Sequence, residues 1–483
     1  MTHPLDSPFV RDQLALRTAP ANDVRRQPDG EFVLYWMQST HRFEENWGLR
    51  RAMLEADRLG KPLLVYQGLN PTYEHANDRT HAFIIGNARH LAARAPSLGL
   101  TYRFNLRHRV ADDRLVVDRL ARRAALVVTD AFPTAGVAER TARVAGRVPV
   151  HMEAVDSHGI VPAAAFAKEE WAARTIRPKL RKLLDLSLEP VEDRPPRHPM
   201  PPDLLRAVDG DLPSLDLARL DLAAEVARCE IDHTVPPVAT VPGLEAARAR
   251  LEAFIAEALP RYSDRRSDPT DTRGSSQLSP YLHFGQVAAA EVARRALASG
   301  AGEEVEKFLD ELVTWRELSL NFCVRNPRFA TLEGLPAWVH ANFAQHARDP
   351  RPVTYTLDQL ERGATDYPLW NAAQHELRAT GAIHNVMRMY WGKCVIAWMP
   401  TYDAALRALI HLNNKWGLDG RDPSSFGGIQ WCFGKFDRPW APRRPIYGSI
   451  RWMSLERAYK KFDAKGYEAR HLPGGGAAQP SLF

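Results

Sequence analysis

At 483 residues the chain is too long for one ordinary domain and suggests two or three, and its 45% apolar content is that of a soluble globular protein. Net charge of +6 and a pI near 9.1 allow a polyanionic partner without requiring one. The four cysteines, Cys229, Cys323, Cys394 and Cys432, show neither CxxC nor Cys/His spacing, which argues against a metal site and a disulfide framework and suits a reducing, cytoplasmic setting. The opening MTHPLDSPFVRD lacks a basic-then-apolar leader pattern, and no apolar run approaches about eighteen residues, so the reading is of a protein with no membrane segment. No internal repeat is found.

Residues 1–29 are polar and proline-containing and predict a surface arm. From 30 to 188 short apolar strands alternate with helical stretches. Strands are expected at Glu31–Trp36, Pro62–Gln67, Leu100–Leu106, Ala125–Thr129 and Val148–Met152, and helices at Arg42–Leu59, Ala76–Ala95, Leu115–Arg123 and Gly136–Ala145. This alternation implies a parallel, doubly wound, Rossmann-like α/β sheet, although no GxGxxG follows the first strand. Proline pairs punctuate 189–243, a connector that is helical only around Leu217–Arg228. Residues 244–465 read as all-helical, and 466–483, ending GGGAAQPSLF, as a disordered tail.

Within the helical part, GSSQLSP at 274–280 clusters hydroxyls behind a glycine, a pattern that presents donors to a phosphate or, in its ordinary role, caps a helix with Ser279 before Pro280. Phe308–Phe322 is a strongly apolar helix with Glu311 and Trp315 on one face. The stretch His384–Trp431 reads as two helices broken at Met399-Pro400, then a Gly/Asp/Ser-rich loop ending at Gly427-Gly428. Its first helix stacks Asn385, Arg388 and Trp391 at turn spacing, and a buried Arg there needs a carboxylate, with Asp419 and Asp422 the nearest candidates. A Trp/Met/Tyr stripe is more often plain core, but this combination suits a large aromatic cofactor. From Lys435 to Lys461 eight Lys/Arg stand against two acids, interleaved with Trp440, Tyr447, Trp452 and Tyr459, a mixture suited to nucleic acid.

Taken together, GSSQLSPYLHFG, ELVTWREL, HNVMRMYWGK, LNNKWGLDGRDP and RPIYGSIRWM, with the N-terminal VLYWMQSTHRFEENWGL, resemble the photolyase/cryptochrome family, closest to its class II cyclobutane pyrimidine dimer (CPD) photolyases. The resemblance runs from about residue 30 to 460. It implies an α/β antenna domain joined by a long linker to a helical domain that binds FAD. It also implies light-driven repair of UV-damaged DNA by a monomer located in the cytoplasm, or on the nucleoid of a prokaryote. A second antenna chromophore would be 8-hydroxy-5-deazaflavin or methenyltetrahydrofolate.

By the same resemblance, Tyr262, Ser275, Ser276, Gln277, Leu278 and Ser279 would hold the FAD phosphates and ribityl chain. Arg388 and Asp419 would pair against the isoalloxazine, with Asn413 near its N5 and Asn385 lining the pocket. Glu311, Trp315, Met389 and Trp431 would face the flipped-out dimer, whose poor pairing makes flipping less costly. Trp391, Trp370, Trp398 and Tyr355 would relay electrons to oxidised flavin. Three places depart from the family's wording: Ser267 where an Asn is usual, FGKFDRPW at 433–440, and Asp130–Pro133 in the antenna domain. A photoreceptor that binds FAD without repairing is the alternative, and a flavin-free nucleic-acid-binding protein is a third reading. Repair of the (6-4) photoproduct is disfavoured, since no His is placed for it.

Overall fold

The computed structural model describes residues 3–213 and 215–474. Six strands form one sheet in the order β1-β6-β5-β2-β3-β4. They are β1 (Thr18–Pro20), β2 (Phe32–Met37), β3 (Leu63–Leu69), β4 (Thr101–Leu106), β5 (Ala124–Asp130) and β6 (Met152–Val155). All neighbours run parallel except β1, which is antiparallel to β6. Every residue of β2 is buried, as a central parallel strand covered on both faces requires. Phe32, Leu34 and Trp36 face one core, and Val33, Tyr35 and Met37 face the other. The covering helices are α1 (Pro8–Arg17), α2 (Trp47–Leu59), α3 (Asp78–Arg94), α4 (Val116–Arg123), α5 (Val137–Ala145) and α6 (Ala173–Ser187).

The connector holds two short helices, α7 (Pro202–Gly210) and α8 (Leu222–Ala227). The helical part begins with α9 (Leu244–Glu257), α10 (Tyr262–Arg265), α11 (Ser279–His283), α12 (Ala289–Ala298) and α13 (Glu303–Leu309). A π-helical turn, Asp310–Trp315, leads from α13 into α14 (Arg316–Arg325). There follow α15 (Ala337–His346), α16 (Leu357–Arg362), α17 (Pro368–Thr380), α18 (Asn385–Trp398), α19 (Tyr402–Trp416), α20 (Pro423–Cys432), α21 (Leu455–Ala458) and α22 (Ala464–His471). The α/β core that contains Val33 and Tyr35 continues without a break into α9–α14, while α15–α22 enclose a separate core. Among the described residues no helix is long and apolar enough to cross a membrane.

Four expectations need correction. The N-terminal segment is not a loose arm: α1 packs on the domain, and β1 covers the edge of β6. Arg17, at its hinge, is buried and donates to the carbonyls of Asp156, Gly159 and Ile160 at 3.2, 2.9 and 2.7 Å. The last strand begins at Met152 rather than Val148, because Pro149 lacks the N–H a ladder position needs. The stretch ending at Gly427-Gly428 is helical (α20), started by Asp422, whose carboxylate accepts from Ser424 N at 2.8 Å, and by Pro423 in the first turn. The tail is ordered through α22, where Tyr467 is fully buried against α17; residues 475–483 lie outside the described residues.

Where the two parts meet, Glu317 of α14 is buried, accepts from Ile160 N–H at 2.9 Å and pairs with Arg316 at 3.3 Å. Burial pushes its carboxyl up to about 7, against the pull of Arg316. A raised folded value means stability that is full below the unfolded value of about 4 and is lost as pH rises through the folded one. Glu317→Gln keeps an oxygen for Ile160 and is expected to remove that loss, raising stability at pH 8 by roughly 1–3 kcal/mol. Urea melts at pH 5 and pH 8 check it; identical pH slopes in both proteins would mean that Glu317 is ionised in the fold.

Candidate active site

Helices α14 and α20 pack antiparallel in register. Cys323 Sγ lies 4.0 Å from Pro423 O, and one turn on, a Cβ on Gly427 would fall 2.3 Å from Ser319 Oγ, so only glycine admits this approach. By the same register Trp315 and Trp431 fall at the next turn of the seam, both partly exposed. Ser319 Oγ bonds Trp315 O at 2.9 Å, tying the seam to that turn. Glu311 lies one turn before Trp315, and the wider π-helical turn keeps the two on one face. Helix α18 joins the group through Gly392, whose missing side chain leaves room for Cys432 Sγ. Lys393 Nζ donates to Cys432 O at 2.6 Å and sits 5.0 Å from the Trp431 ring centre, and Met389 is one turn away on the same face. The four residues expected to face a lesion thus border one region.

Glu311 is paired with Arg266, a partner sequence reasoning missed, and Arg266 lies over the Tyr262 ring at 5.5 Å. Burial lifts the Glu311 carboxyl above its ordinary range, and the Arg266 guanidinium opposes that shift. Ser267, next in the chain, is exposed.

Arg388 and Asp419 do form an ion pair, at 3.2 and 3.3 Å, and Arg388 Nη1 also donates to Asn413 Oδ1 at 3.1 Å. The loop after α19 can present Asp419 because a Cβ on Gly420 would lie 2.9 Å from Asn414 Cα, so the chain folds back flat on the helix end. Asp422, the other candidate, instead meets His283 Nδ1 at 3.2 Å, and its carboxyl falls to about 2 although burial opposes the shift, through the His283 hydrogen bond and charge and through Arg316. Asn385 is exposed at the start of α18, on the face that carries Arg388.

The segment 275–279 supports a phosphate site by its backbone. Gln277 has φ +51° and Leu278 φ −87°, a left-then-right-handed pair that turns successive N–H groups into one concavity. Among the described residues the N–H groups of Ser275, Ser276 and Gln277 have no backbone acceptor. The side chains contribute less than expected. Gln277 is engaged by Arg250 and Thr272 O, Leu278 is in the core, and Ser279 is the first helical residue rather than the cap. Tyr262 is also mainly core, edge-on to Phe254 and Phe308 at 5.8 and 5.6 Å. Free backbone donors on one side and an Arg–Asp–Asn cluster on the other fit a dinucleotide that is anionic in the middle and flat at one end.

The expected electron-relay residues form a ladder. Trp391 stacks on Trp370 at 6.2 Å and 5°, and Trp370 meets Trp398 at 5.5 Å and 69°. Trp398 touches Tyr355 at 5.2 Å and also Tyr367, stacked at 4.7 Å, which the sequence reading missed although it stands three residues before Trp370. The three indoles are buried and Tyr367 is 37% exposed, so the ladder reaches the surface.

A pocket opens at the carboxyl ends of the parallel strands beside the β2/β5 switch point. Gln38, Gly68, Tyr73, Phe132 and Arg140 line it, with Arg421 from the helical part. Asp130 shapes its rim by accepting from the N–H groups of Gln38, Ser39 and Thr40 at 2.8, 2.8 and 3.0 Å. Arg421 Nε and, on a further lining residue, His41 Nδ1 are buried without a partner among the described residues, and burial lowers His41 to about 4, leaving it neutral.

Comparison with known proteins identifies the family. The family model for DNA photolyase matches residues 33–200, and that for the FAD binding domain of DNA photolyase matches residues 308–474. The chain is 35% identical over 456 residues to the deoxyribodipyrimidine photo-lyase of Methanothermobacter thermautotrophicus, covering 92% of this chain and 96% of that protein. It is 36% identical to that of Arabidopsis thaliana, covering 90% and 88%. Among solved structures, a bacterial class III photolyase from Agrobacterium tumefaciens superposes with a TM-score of 0.68 at 18% identity, covering 92% of this chain and 86% of that one. An archaeal photolyase from Sulfolobus tokodaii with two FAD molecules superposes with a TM-score of 0.65 at 16% identity, over 93% and 92%. An α/β sheet domain joined to a helical FAD-binding domain, with the matched sequence spanning both, places this chain in the DNA photolyase family.

Proposed function

We propose that this protein is a class II photolyase that splits cyclobutane pyrimidine dimers in DNA with light. The observation that carries the reading is the α14–α20 seam that brings Trp315 and Trp431 to one end, with Glu311 one turn before Trp315, Met389 one turn from the Lys393 that lies over Trp431, and Arg388 adjacent to Met389 in the chain. Bound FAD, when reduced and excited, supplies the electron that opens the cyclobutane ring and takes it back afterwards. Trp315 and Trp431 offer flat apolar faces to two linked, unstacked pyrimidines of one strand. Glu311, with its carboxyl raised by burial, is suited to share a proton with a base carbonyl. Arg388 places positive charge where a reduced flavin would carry negative charge, and Asp419 fixes its orientation.

The basic segment after α20 continues this face. Arg451 lies 5.7 Å from the Trp431 ring and 4.9 Å from Trp440, and Arg444 and Arg457 lie over Trp452 at 4.1 and 5.6 Å. Guanidinium groups held against indoles near the lesion-facing Trp suit phosphates flanking a flipped nucleotide. The pocket at the sheet's switch point, with apolar walls, an unpaired donor at Arg421 Nε and an unpaired acceptor at His41 Nδ1, suits an antenna chromophore with a flat polar heterocycle.

The experiment is repair of UV-irradiated oligo(dT) by the prereduced protein under blue light, with a dark control and an absorption spectrum of the same sample. Light-dependent recovery of thymines is expected. A flavin spectrum without recovery would favour the photoreceptor reading, with Ser267 the first position to change. In the same assay Glu311→Ala is expected to lower repair per photon about tenfold while flavin stays bound, the scale of one hydrogen bond to a charged group. Wild-type repair by that variant would remove Glu311 from the chemistry.

A further inference from the structure

The indole ladder ends on two tyrosines whose hydroxyls differ. Tyr355 is 7% exposed and donates its hydroxyl to Asp366 Oδ2 at 2.8 Å. The backbone N–H of Asp366 donates to the same phenol oxygen at 3.1 Å. The loop is pinned for this purpose, since Asn371 Oδ1 accepts from Thr365 N and Oγ1 at 3.0 and 2.7 Å and Asn371 Nδ2 donates to Thr365 O at 2.7 Å. Tyr367, stacked on the same Trp398, has no hydrogen bond to its hydroxyl among the described residues; its backbone N–H donates to Thr365 Oγ1 at 3.2 Å and its carbonyl accepts from Asn371 N–H at 3.0 Å. A phenol that loses an electron becomes a very strong acid. It therefore yields that electron to an oxidised indole at neutral pH only when its proton has somewhere to go.

We propose that Asp366 is the proton acceptor that makes Tyr355 the terminal electron donor of the ladder. Once Trp398 is oxidised, Tyr355 gives it one electron while the phenol O–H bond breaks and the proton moves to Asp366 Oδ2. The products are neutral Trp398, a neutral tyrosyl radical and a protonated Asp366. The carboxyl group is exposed and passes its proton to water. The Asp366 N–H keeps a hydrogen bond on the tyrosyl oxygen after the proton has left, which holds the ring in place and slows return of the charge. An external thiol restores Tyr355 by giving it one electron and one proton. This assignment rests on the reading of Trp391, Trp370 and Trp398 as a relay.

The test is time-resolved absorption and freeze-quench paramagnetic resonance of the flavin-loaded protein after a light pulse. A second measurement oxidises its indoles with azide radicals in the dark, so that no photochemistry is involved. Both are expected to show an indole radical giving way to a tyrosyl radical, with a solvent deuterium isotope effect. Tyr355→Phe removes the tyrosyl signal. Asp366→Asn slows its formation about 100-fold, the scale of a lost general base, and Asp366→Glu restores it. Unchanged tyrosyl formation in Asp366→Asn, or a signal lost only in Tyr367→Phe, overturns the assignment. If Trp391→Phe accumulates reduced flavin as the parent does, the relay itself is wrong. If that variant fails while Asp366→Asn matches the parent, only the proton acceptor is wrong.

Discussion

Arg388→Ala is expected to purify without its yellow colour, flavin retention falling on the order of 100-fold or more, the consequence of stranding a buried carboxylate at about 3–5 kcal/mol. Asp419 is 9% exposed, and Arg388 is its only ion-pair partner among the described residues. The same guanidinium also holds Asn413 Oδ1, so one truncation leaves two acceptors without a donor. The loop that presents Asp419 is folded tightly onto the end of α19. Arg388→Lys keeps the charge but not the planar fork and should recover part of the binding. The ratio of flavin to protein absorbance measures the effect, and a thermal melt separates lost binding from lost folding. A folded Arg388→Ala protein with a full complement of flavin would place the cofactor elsewhere.

Trp391→Phe is expected to lower light-driven reduction of the oxidised flavin by more than an order of magnitude, while protein reduced beforehand with dithionite still repairs. Trp391 lies on the face of α18 that carries Arg388, and it is the only one of the three indoles that does so while stacking on Trp370. A benzene ring is far harder to oxidise than an indole, so the ladder loses its first rung without losing its shape. The substitution also leaves the buried Gln374 Oε1 without the indole N–H that reaches it at 3.0 Å, a cost of about 1–3 kcal/mol in stability. Photoreduction at the parent's rate, in a variant shown to be folded, would mean that electrons enter by another route.

Local chemistry was legible wherever neighbours in space are neighbours in the chain. The strands around Val33 and Val127 and the break between α18 and α19 follow from short apolar runs and from Met399-Pro400. The next loop offered Asp419 and Asp422 as partners for Arg388, and the family resemblance of LNNKWGLDGRDP singled out Asp419. Helix α20 was missed because two glycines hid a good start signal, Asp422-Pro423. Their purpose differs: Gly427 admits Ser319, whereas Gly428 faces open space. The arm expected at 1–29 became an edge strand because β6 had an open side, a fact about the sheet and not about residues 18–20.

The sequence alone determined the two-part architecture and the turn spacing of Asn385, Arg388 and Trp391, since these depend on helix period and short apolar runs, while Asp419, Asn413 and the indole series were singled out by the family resemblance of the motifs. Only the tertiary structure decided that Trp315 and Trp431 share one end of the α14–α20 seam, that Arg266 holds Glu311, and that Tyr355 rather than Tyr367 has a carboxylate. These pairings depend on side-chain volume at packed seams, above all the absent Cβ of Gly427 and the close fit of Gly392 to Cys432. A pattern of polar and apolar positions records which faces are buried, but not which buried face meets which.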